Sequence, residues 1–466
     1  MKTRIMKYGI NGEGIAYVKR KPVFVPLCIK EEVVDLEITE MNERYGRGIV
    51  RKIIEKSPQR IKATCPYQKD CGSCVMMHMS EIEQNQAKKE ILKEALQKYA
   101  DYDGEVPDLI RTNEFYYRNK CSLAFGLFHG KLVNVMYQND SHKNVYINEC
   151  VIHEKGLERI RKEILKVLNK HQCELYDKKN SKGYRYLMIR GIEKEYQVVL
   201  VTGKEEIPSS IIDEIMKIKG VVSLYQGINT ERNALSMIPE DLHLLKGKEA
   251  IDFELLGLKL QLKPSSFFQL NTRTAEKLYE TVIEEAGEKN GLIVEAYSGI
   301  GVMGLILSRK AMKVVCIDTG KSSIRDGQTI AQENYIGNIE YRCEDASKAL
   351  KQIVKKEKID CLVVDPPRVG LSKDLLQTLN SHPADKIIYV SCNPATLAKD
   401  LDVLKKNYEI EKILPFDMFP QTQHVETVCC LYHQKKDFIS VPYEPKNADY
   451  LKKDESDEQI EFCGEE

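Results

Sequence analysis

The sequence predicts a multidomain α/β protein with a small β-barrel at the N-terminus, a central mixed α+β domain and a C-terminal doubly wound sheet. Three observations predict this fold class. The 466 residues exceed what one hydrophobic core usually supports. The N-terminal part alternates short β-branched segments with glycine turns, which is typical of a small antiparallel barrel. Between about residues 291 and 432, apolar strands alternate with helical segments, which is typical of a doubly wound sheet.

We place the domain boundaries where these patterns change. Residues 1–57 are predicted to form the barrel, residues 58–250 the central domain and residues 251–437 the doubly wound domain. Residues 438–466 are rich in charge and poor in apolar side chains, so we expect an acidic, disordered tail.

Local patterns predict one long helix and several buried strands. Residues 80–99 carry apolar side chains at helical spacing, and Ser80 followed by Glu83 is a typical helix start. The strands of the doubly wound sheet are expected in the segments GLIVEAYSG, KVVCID, IDCLVVDPP, KIIYVSC and ETVCCLY. Ligands bind such sheets at the carboxyl ends of the strands, so the residues that follow these segments are the candidates for a site.

Composition limits the classes of protein and partner. No segment approaches the roughly 18 apolar residues of a membrane span, and the start of the chain lacks the apolar core of a secretory signal. We therefore expect a cytoplasmic protein without a membrane partner. In the reducing cytosol, the 14 cysteines are not expected to form disulfides, so cysteines that cluster indicate metal binding or catalysis.

The formal net charge is zero, but the charge is unevenly distributed. Residues 1–62 hold 14 Lys and Arg against 8 Asp and Glu, whereas residues 441–466 hold 3 against 9. A basic barrel of this size is a common nucleic-acid module. The alternative is a plain β-domain whose lysines only keep it soluble.

Three cysteines lie within ten residues, in CPYQKDCGSC: Cys65, Cys71 and Cys74. Their thiolates can surround one metal centre, but a fourth ligand must come from elsewhere. Cys150, in YINECVIHE, is the best candidate because it also follows a strand-like segment. The spacing favours an iron–sulfur cluster over zinc without deciding between them, and three unrelated core thiols are the remaining alternative.

A glycine-rich turn, EAYSGIGVMG, follows the strand GLIV. Gly299, Gly301 and Gly304 fit G-x-G-x-x-G, which lets the backbone approach a nucleotide and has little specificity alone. A dinucleotide enzyme and an S-adenosylmethionine methyltransferase both remain open. Glu295, four residues before the first glycine, is the acid expected of a methyltransferase, whereas Asp318 at the end of KVVCID suits the ribose of either cofactor.

Three more polar residues lie at strand ends. Asp365 begins DPPR, where two prolines restrict the loop that follows it. Cys392 lies between the strand IIYV and Asn393-Pro394, which we expect to form a turn. Glu426 lies beside the last apolar segment. A cysteine at a strand end is more often a packed core thiol, but Cys392 and Glu426 are expected to share one pocket as a nucleophile and a proton acceptor.

The ordered segments FFQLN, DPPRVGL, SCNPATLAKDL and DMFPQTQHVETV make the chain similar to the RNA uracil-5-methyltransferase family. The resemblance is to its 23S ribosomal-RNA branch, which carries a TRAM barrel and an iron–sulfur cluster. It implies a Rossmann-like S-adenosylmethionine methyltransferase domain behind a TRAM-like barrel. It also implies a monomeric enzyme that methylates C5 of a single-stranded or loop uridine, which must be flipped into the site.

The resemblance also assigns roles to residues. Cys392 matches the nucleophile that adds to uracil C6, and Glu426 matches the base that removes the C5 proton. The positions that match S-adenosylmethionine ligands are Gln269, Tyr297, Asp318 and Asp365, and Asp365 also faces the uracil in this scheme. The positions that match ligands of a 4Fe-4S cluster are Cys65, Cys71, Cys74 and Cys150.

Three positions depart from the family pattern: Ser73, Ser298 and Asp318 replace a glycine, a cysteine and a glutamate. They put affinity in doubt rather than reaction type. The competing hypothesis is a nicotinamide-dependent iron–sulfur oxidoreductase, which the glycine turn, Asp318 and the cysteines would also suit. That scheme gives the DPPR and SCNP loops no role. An RNA-binding scaffold without activity is disfavoured because Cys392 and Glu426 are both present.

Overall fold

The computed structural model describes residues 1–138, 143–231, 236–288 and 290–434. The predicted acidic tail, residues 438–466, lies outside these ranges. Residues Met1–His433 form one compact unit that contains every sheet described below. No helix in the described part of the chain is long and apolar enough to cross a membrane.

The first sheet has six strands in the order β1-β5-β6-β4-β3-β2. Their bounds are β1 (Lys2–Arg4), β2 (Lys7–Tyr8), β3 (Gly14–Val18), β4 (Lys21–Val25), β5 (Val33–Met41) and β6 (Gly46–Glu55). Val23, Val25, Val34 and Leu36 pack in its core. The expected antiparallel pairing holds except between β4 and the start of β6, which run parallel for two residues. Irregular register along β5 and β6 bends this hairpin, which brings the start of β6 beside β4.

The predicted helix is confirmed as α1 (Glu81–Ala100). The Ser80 hydroxyl accepts a hydrogen bond from the backbone N–H of Glu83 at 3.2 Å, as an N-cap does. The Glu83 carboxylate does not return to Ser80; it accepts a hydrogen bond from the Tyr8 hydroxyl of the first sheet. The helix cap is therefore also a link between α1 and the first sheet.

The second sheet has seven strands in the order β13-β12-β11-β10-β7-β8-β9. Two amphipathic helices cover one face, where Leu157, Ile160 and Ile164 pack against Leu187 and Ile189. In chain order the elements are β7 (Lys120–Phe128), β8 (Lys131–Tyr137), β9 (Asn144–Tyr146), α2 (Lys155–Lys170), β10 (Tyr184–Ile192), β11 (Glu195–Thr202), α3 (Ser209–Met216), β12 (Val221–Ile228) and β13 (Leu242–Gly247).

A hairpin and one helix lead into the third sheet. The hairpin and helix are β14 (Ile251–Leu255), β15 (Leu258–Leu262) and α4 (Thr272–Ala286). The sheet strands are β16 (Asn290–Ala296), β17 (Ala311–Asp318), β18 (Ile339–Cys343), β19 (Cys361–Val364), β20 (Lys386–Ser391), β21 (Tyr408–Phe416) and β22 (Glu426–His433). The connecting helices are α5 (Val302–Leu307), a 3₁₀ turn (Ser308–Lys310), α6 (Lys321–Glu333), α7 (Ala346–Ile353), α8 (Lys373–Ser381) and α9 (Pro394–Leu404).

The third sheet runs in the order β18-β17-β16-β19-β20-β22-β21. Strands β16 to β20 are parallel, and β22 is inserted antiparallel between β20 and β21. Alternate residues of β16 enter two separate cores, with Leu292 and Val294 in one and Ile293 in the other. Both faces of the sheet are therefore covered, which explains why its strands are nearly continuous apolar segments. The order reverses between β16 and β19, where ligands of such sheets bind.

A buried ion pair fastens α1 to the segment that precedes β22. Lys88 and Asp417 are fully buried, and the Lys88 Nζ lies 2.5 Å from Oδ1 of Asp417. Arg111 donates to the other carboxylate oxygen at 2.9 Å, and Lys88 also donates to the backbone carbonyl of Phe419 at 3.2 Å. Burial lowers the pKa of Lys88, and the neighbouring Asp417 acts against that shift. The ammonium is therefore held in an apolar interior by these specific partners.

We predict that Lys88→Met lowers the free energy of unfolding by about 3 kcal/mol, because it leaves Asp417 buried with one cation fewer. Lys89→Met is the matched control, since the Lys89–Asp108 pair is exposed to solvent and should contribute at most about 1 kcal/mol. Urea unfolding followed by tyrosine fluorescence measures both variants, as the chain has no tryptophan. Equal losses in the two variants would contradict the prediction.

Candidate active site

Five of the six predicted catalytic and cofactor-binding residues lie along one edge of the third sheet. Tyr297 follows β16, Asp318 ends β17, Asp365 follows β19 and Cys392 follows β20. Glu426 begins β22. Because β22 runs antiparallel to the others, its start lies at the same edge as their carboxyl ends. The strand order therefore brings together five residues that are far apart in sequence.

Cys392 and Glu426 meet where the pairing of β20 with β22 ends. Ser391 pairs with Thr427 as the last pair of this ladder, and Cys392 and Glu426 are the residues next to that pair. The charge of Glu426 raises the pKa of the Cys392 thiol, as expected of neighbouring groups. The sheet thus holds a thiol and a carboxyl group as neighbours at the point where β20 opens into its loop.

Asn393 joins the loop of Cys392 to the DPPR loop. Its side-chain oxygen caps α9 by accepting from the N–H of Ala395 at 3.1 Å. Its side-chain nitrogen donates to the backbone carbonyl of Arg368 at 3.0 Å. Asn393-Pro394 therefore begins a helix, with proline at the first helical position; the expected turn is wrong in this respect. The asparagine fixes Cys392 relative to Arg368.

The charges at this edge act on one another. Burial raises the pKa of the Cys392 thiol, Glu426 raises it further, and Arg368 acts in the opposite direction. Burial and the charge of Asp365 hold the pKa of Glu426 well above its usual range. Burial likewise raises the pKa of Asp365. Two neighbouring buried carboxyl groups resist ionising together, so one of them tends to keep its proton unless a cation joins them.

Cys392 is half-buried and lines a cleft of about 150 Å³. Arg368 and His424 line the same cleft, and their side chains approach within 3.4 Å. Burial and the neighbouring Arg368 lower the pKa of His424 to about 4, so its imidazole is neutral at pH 7. The cleft's opposite wall is the turn between β2 and β3, with Ile10 and Asn11. A thiol is therefore partly open to solvent beside a cation and a neutral imidazole.

The glycine turn after β16 leaves space for a ligand. Gly299 has a φ of +57°, and a Cβ atom there would meet nothing within 4 Å. Its N–H donates to Asp318 at 2.9 Å, and the N–H of Gly320 donates to the other oxygen at 2.7 Å. A Cβ at Gly304 would instead lie 2.7 Å from the Glu295 carboxylate, which accepts from the Gly304 N–H at 2.7 Å. Glu295 thus holds the turn in place from the buried interior. Asp318 and Gly299 border the space that is left for a ligand.

Gln269 lies in a different pocket, of about 250 Å³, whose lining shares no residue with the cleft of Cys392. Arg118, Lys120 and Arg190 also line it, together with the exposed Phe267. No carboxylate is in this lining. Burial and the two neighbouring arginines lower the pKa of Lys120 to about 8, which reflects three cations in one place. The pocket suits an anionic group.

The four predicted metal-ligating cysteines line one cavity of about 60 Å³: Cys65, Cys71, Cys74 and Cys150. A fifth, Cys121, lines it as well and was not predicted. After burial, the charges that raise the pKa of Cys74 are those of Cys150, Cys71 and Cys65, whereas the main charges acting on Cys121 come from Glu158 and Arg161 of α2. The predicted four therefore form the electrostatic group, and Cys121 stands apart from it.

The cavity has room for more than one atom. Among the described residues, no group of three His, Cys, Asp or Glu side chains is placed to hold one metal ion. One water needs roughly 10–15 Å³ of such space, so a cavity of about 60 Å³ has room for several atoms. Burial raises the pKa of Cys150 to about 11, so four thiolates there need added positive charge. Four thiols in one cavity are a donor set that suits a zinc ion or a metal cluster.

Comparison with known proteins identifies the family. The tRNA (Uracil-5-)-methyltransferase family matches residues 248–435, and the TRAM domain matches residues 4–50. An uncharacterized RNA methyltransferase of Bacillus cereus is 35% identical over 435 residues, which cover 91% of this chain and 95% of that protein. One from Listeria monocytogenes is 34% identical over 446 residues, covering 93% and 97%. The chain belongs to the tRNA (uracil-5-)-methyltransferase family. It is an RNA methyltransferase.

A solved structure agrees with this assignment. The chain is similar to the Pyrococcus abyssi tRNA (uracil-54, C5)-methyltransferase, solved in complex with S-adenosyl-L-homocysteine, with a TM-score of 0.73 and 27% identity. The match covers 92% of this chain and 99% of that one. The predicted fold class is confirmed: a methyltransferase sheet, a TRAM barrel and a central mixed α/β part. The prediction of a methyltransferase is confirmed over that of a nicotinamide-dependent oxidoreductase, and S-adenosylmethionine is supported as the cofactor.

The site of this RNA methyltransferase contains residues that the sequence did not single out. In the sequence, Arg368 is only the last residue of the DPPR motif, and His424 lies two residues before Glu426 without a signal of its own. Asn393 has the composition of a turn residue. Ile10 and Asn11 carried no signal, because their place in the cleft depends on how the TRAM barrel packs against the catalytic part.

We predict that Arg368→Met moves the pH dependence of Cys392 alkylation to higher pH. Arg368 lowers the pKa of this thiol, so its removal leaves less thiolate at a given pH and slows reaction with iodoacetamide at pH 8. Peptide mass spectrometry resolves Cys392 from the exposed Cys343, which serves as an internal reference. Arg325→Met, on the exposed side of α6, is the control. Unchanged alkylation of Cys392 in Arg368→Met would contradict the electrostatic role.

Proposed function

We propose that this enzyme methylates C5 of a uridine in RNA through a covalent bond between Cys392 and uracil C6. The observation that carries the proposal is that Cys392 and Glu426 adjoin the last pair of the β20–β22 ladder, where the charge of Glu426 acts on the thiol. Uracil C5 is a poor nucleophile by itself. A thiolate that adds to C6 moves an electron pair onto the C5 side of the ring, and only then is C5 reactive enough to take a methyl group.

The two site residues act in sequence. The Cys392 sulfur forms a bond to C6, and C5 becomes methylated. Glu426 then removes the C5 proton, the electron pair of the C5–H bond restores the C5–C6 double bond, and the C6–S bond breaks. The proton ends on the Glu426 carboxylate and the thiolate is regenerated. Asp365, beside Glu426, is proposed to face the uracil and the cofactor.

S-adenosylmethionine supplies the methyl group and a positive charge on its sulfur. The open side of the glycine turn supports this assignment, since Gly299 leaves room there and Asp318 has its carboxylate fixed by two backbone amides. We propose that Asp318, Tyr297 and Asp365 hold the cofactor. A cation beside Asp365 and Glu426 would lower the pKa of both. The bound cofactor would therefore favour an ionised Glu426 before the methyl group is transferred, and this carboxylate is then available to accept the C5 proton. Gln269 remains a proposed cofactor ligand, although it lines the separate cationic pocket.

RNA contacts are proposed in the pocket of Arg118, Lys120 and Arg190. Three cations without a carboxylate favour a phosphate group, and the exposed Phe267 beside them offers a surface for base stacking. The TRAM barrel contributes fewer free charges than its composition indicates, because several of its basic residues pair with its own carboxylates. These pairs are Lys2–Glu55, Arg4–Glu31 and Arg51–Glu37.

The proposed substrate is a loop or single-stranded uridine of 23S ribosomal RNA, as the family branch with a barrel and a cysteine cluster implies. A uracil within a helix hides both C5 and C6, so the base must be flipped out, which costs a few kcal/mol and least in loops. The Pyrococcus protein acts on transfer RNA and matches nearly the whole chain, so the barrel alone does not distinguish the two RNA classes. Methylation assays with ribosomal RNA and with transfer RNA distinguish the two classes of substrate.

We expect Cys392→Ala to lose at least 10³-fold in methyl transfer from labelled S-adenosylmethionine to RNA, because the covalent step is removed. Glu426→Gln should instead accumulate a protein–RNA adduct that survives denaturing electrophoresis, since elimination needs the base. Cys173→Ala is the control thiol, placed outside the cleft. Full turnover by Cys392→Ala would sink the covalent mechanism, and adduct formation without Cys392 would reassign the nucleophile.

We further propose that Cys65, Cys71, Cys74 and Cys150 hold a 4Fe-4S cluster. Their common cavity and their mutual electrostatic effect support these four as one ligand set, and the spacing of the first three favours a cluster over zinc. The cavity lies between the CPYQKDCGSC segment and strands β7 and β8 of the second sheet, so a cluster would brace the central part of the enzyme.

We predict that Cys150→Ala, produced without oxygen, loses bound iron and sulfide, whereas Cys121→Ala keeps both. The two side chains line the same cavity, so the pair separates a ligand from a neighbour. Iron, acid-labile sulfide and zinc are measured per chain. Finding zinc instead of iron would contradict the proposed cluster. Loss of iron only in Cys121→Ala would show that Cys121, and not Cys150, is the fourth ligand.

A further inference from the structure

The turn between β2 and β3 of the TRAM barrel is closed and firmly packed. Within residues 9–13, the N–H of Gly9 donates to the carbonyl of Glu13 at 2.7 Å, and the N–H of Gly12 to that of Gly9 at 2.9 Å. The Asn11 side chain donates to the Glu13 carboxylate at 3.1 Å. Gly12 has a φ of +81°, which favours glycine. The turn therefore has one defined shape.

The same turn packs directly on the catalytic part. A Cβ atom on Gly12 would lie 3.1 Å from Cβ of Gln423 and 3.1 Å from Cγ2 of Val75. Behind it, Tyr8 is buried, donates its hydroxyl to Glu83 of α1 and accepts from the N–H of Lys30 at 3.0 Å. The position of the turn is thus fixed relative to the loop that carries His424.

Its tip presents an exposed apolar side chain at the cleft. Ile10 is 49% exposed and lines the cleft together with Cys392. Asn11 lies beside it, and because its amide nitrogen donates to Glu13, the side chain is held with its amide oxygen available to accept a hydrogen bond. Exposure of an apolar side chain to water is unfavourable, so a ligand that covers Ile10 gains binding free energy from its burial. Flat bases of an RNA strand are such a ligand.

A flipped uridine leaves a gap in its own strand. Proteins that unstack bases fill such gaps with apolar side chains, isoleucine among them. We propose that Ile10 enters the stacking position that the target uridine vacates, and that the Asn11 amide oxygen accepts a hydrogen bond from the adjacent base. The inference rests on the proposed function: the RNA passes between the barrel turn and the catalytic sheet, and this turn contributes to the choice of uridine.

The experiment compares Ile10→Ala with Ile49→Ala, an isoleucine of β6 that is 51% exposed and outside the cleft. The test uridine is one that is found as 5-methyluridine in ribosomal RNA of cells with the enzyme and as uridine in cells without it. Each variant is assayed on a stem-loop RNA that holds this uridine, and on a short unstructured RNA of the same local sequence. We expect Ile10→Ala to lose about tenfold in kcat/KM on the stem-loop and less than about twofold on the unstructured RNA, where no stack must be opened. Ile49→Ala should match the wild type on both.

The outcomes separate the inference from the function. If the wild type forms no 5-methyluridine in either RNA, the proposed function fails. If the wild type is active and Ile10→Ala behaves like Ile49→Ala on the stem-loop, the inference alone is overturned. Equal losses on both RNAs also overturn it, because a residue that only shapes the cleft would affect both substrates alike. A thermal midpoint equal to that of the wild type confirms that the folded variant is being compared.

Discussion

The buried pair of Lys88 and Asp417 is the interaction on which the arrangement of the site depends. An ammonium group is costly to remove from water, and it stays charged in the interior only where a carboxylate and carbonyls surround it. Asp417 lies at the start of the segment that ends at Glu426, and α1 carries Lys88. Gln84, one turn earlier on α1, exchanges two hydrogen bonds of 3.1 Å with Gln421 of that segment. Helix α1 thereby sets the path of the chain into β22.

The consequence is a site assembled from three parts of the chain. The third sheet brings Cys392 and Glu426 together at the end of the β20–β22 ladder. The segment held by α1 supplies His424, and the TRAM barrel supplies Ile10. Burial raises the pKa of the Cys392 thiol most, and it gives the charges of Glu426, Arg368 and Asp365 more influence on that pKa than they would have in water. Small shifts of any one part therefore change the chemistry of the others.

Much of the fold and of the candidate site could be predicted from the sequence because these features depend on local residue patterns. The strands of the third sheet are apolar and β-branched, since both faces are buried, and helix α1 begins with a recognisable cap at Ser80. The residues that end parallel strands lie at one edge by topology, which is why Cys392, Asp365 and Asp318 could be placed in a common site. The ordered motifs gave the family, which the comparisons confirm. The assigned roles of the site residues and the domain boundaries stay predictions.

What the sequence did not indicate depends on contacts between distant segments. The basic excess of the barrel appeared free for RNA, but pairs such as Arg51–Glu37 neutralise part of it on the surface. The cationic pocket of Arg118, Lys120 and Arg190 combines two strands of the second sheet with the FFQLN segment, so no single stretch shows it. Asn393-Pro394 has the composition of a turn and of a helix start alike, and only the helix that follows decides between them.

The packing of Gly12 against Val75 and Gln423 also bears on how the architecture can evolve. A barrel packed so tightly that one added carbon atom would lie 3.1 Å from two neighbours is not a detachable adaptor joined by a tether. An exchange for another nucleic-acid module of equal affinity would remove one wall of the catalytic cleft. Changes of substrate in such a lineage are then expected to alter the tip of one hairpin rather than to replace the whole module.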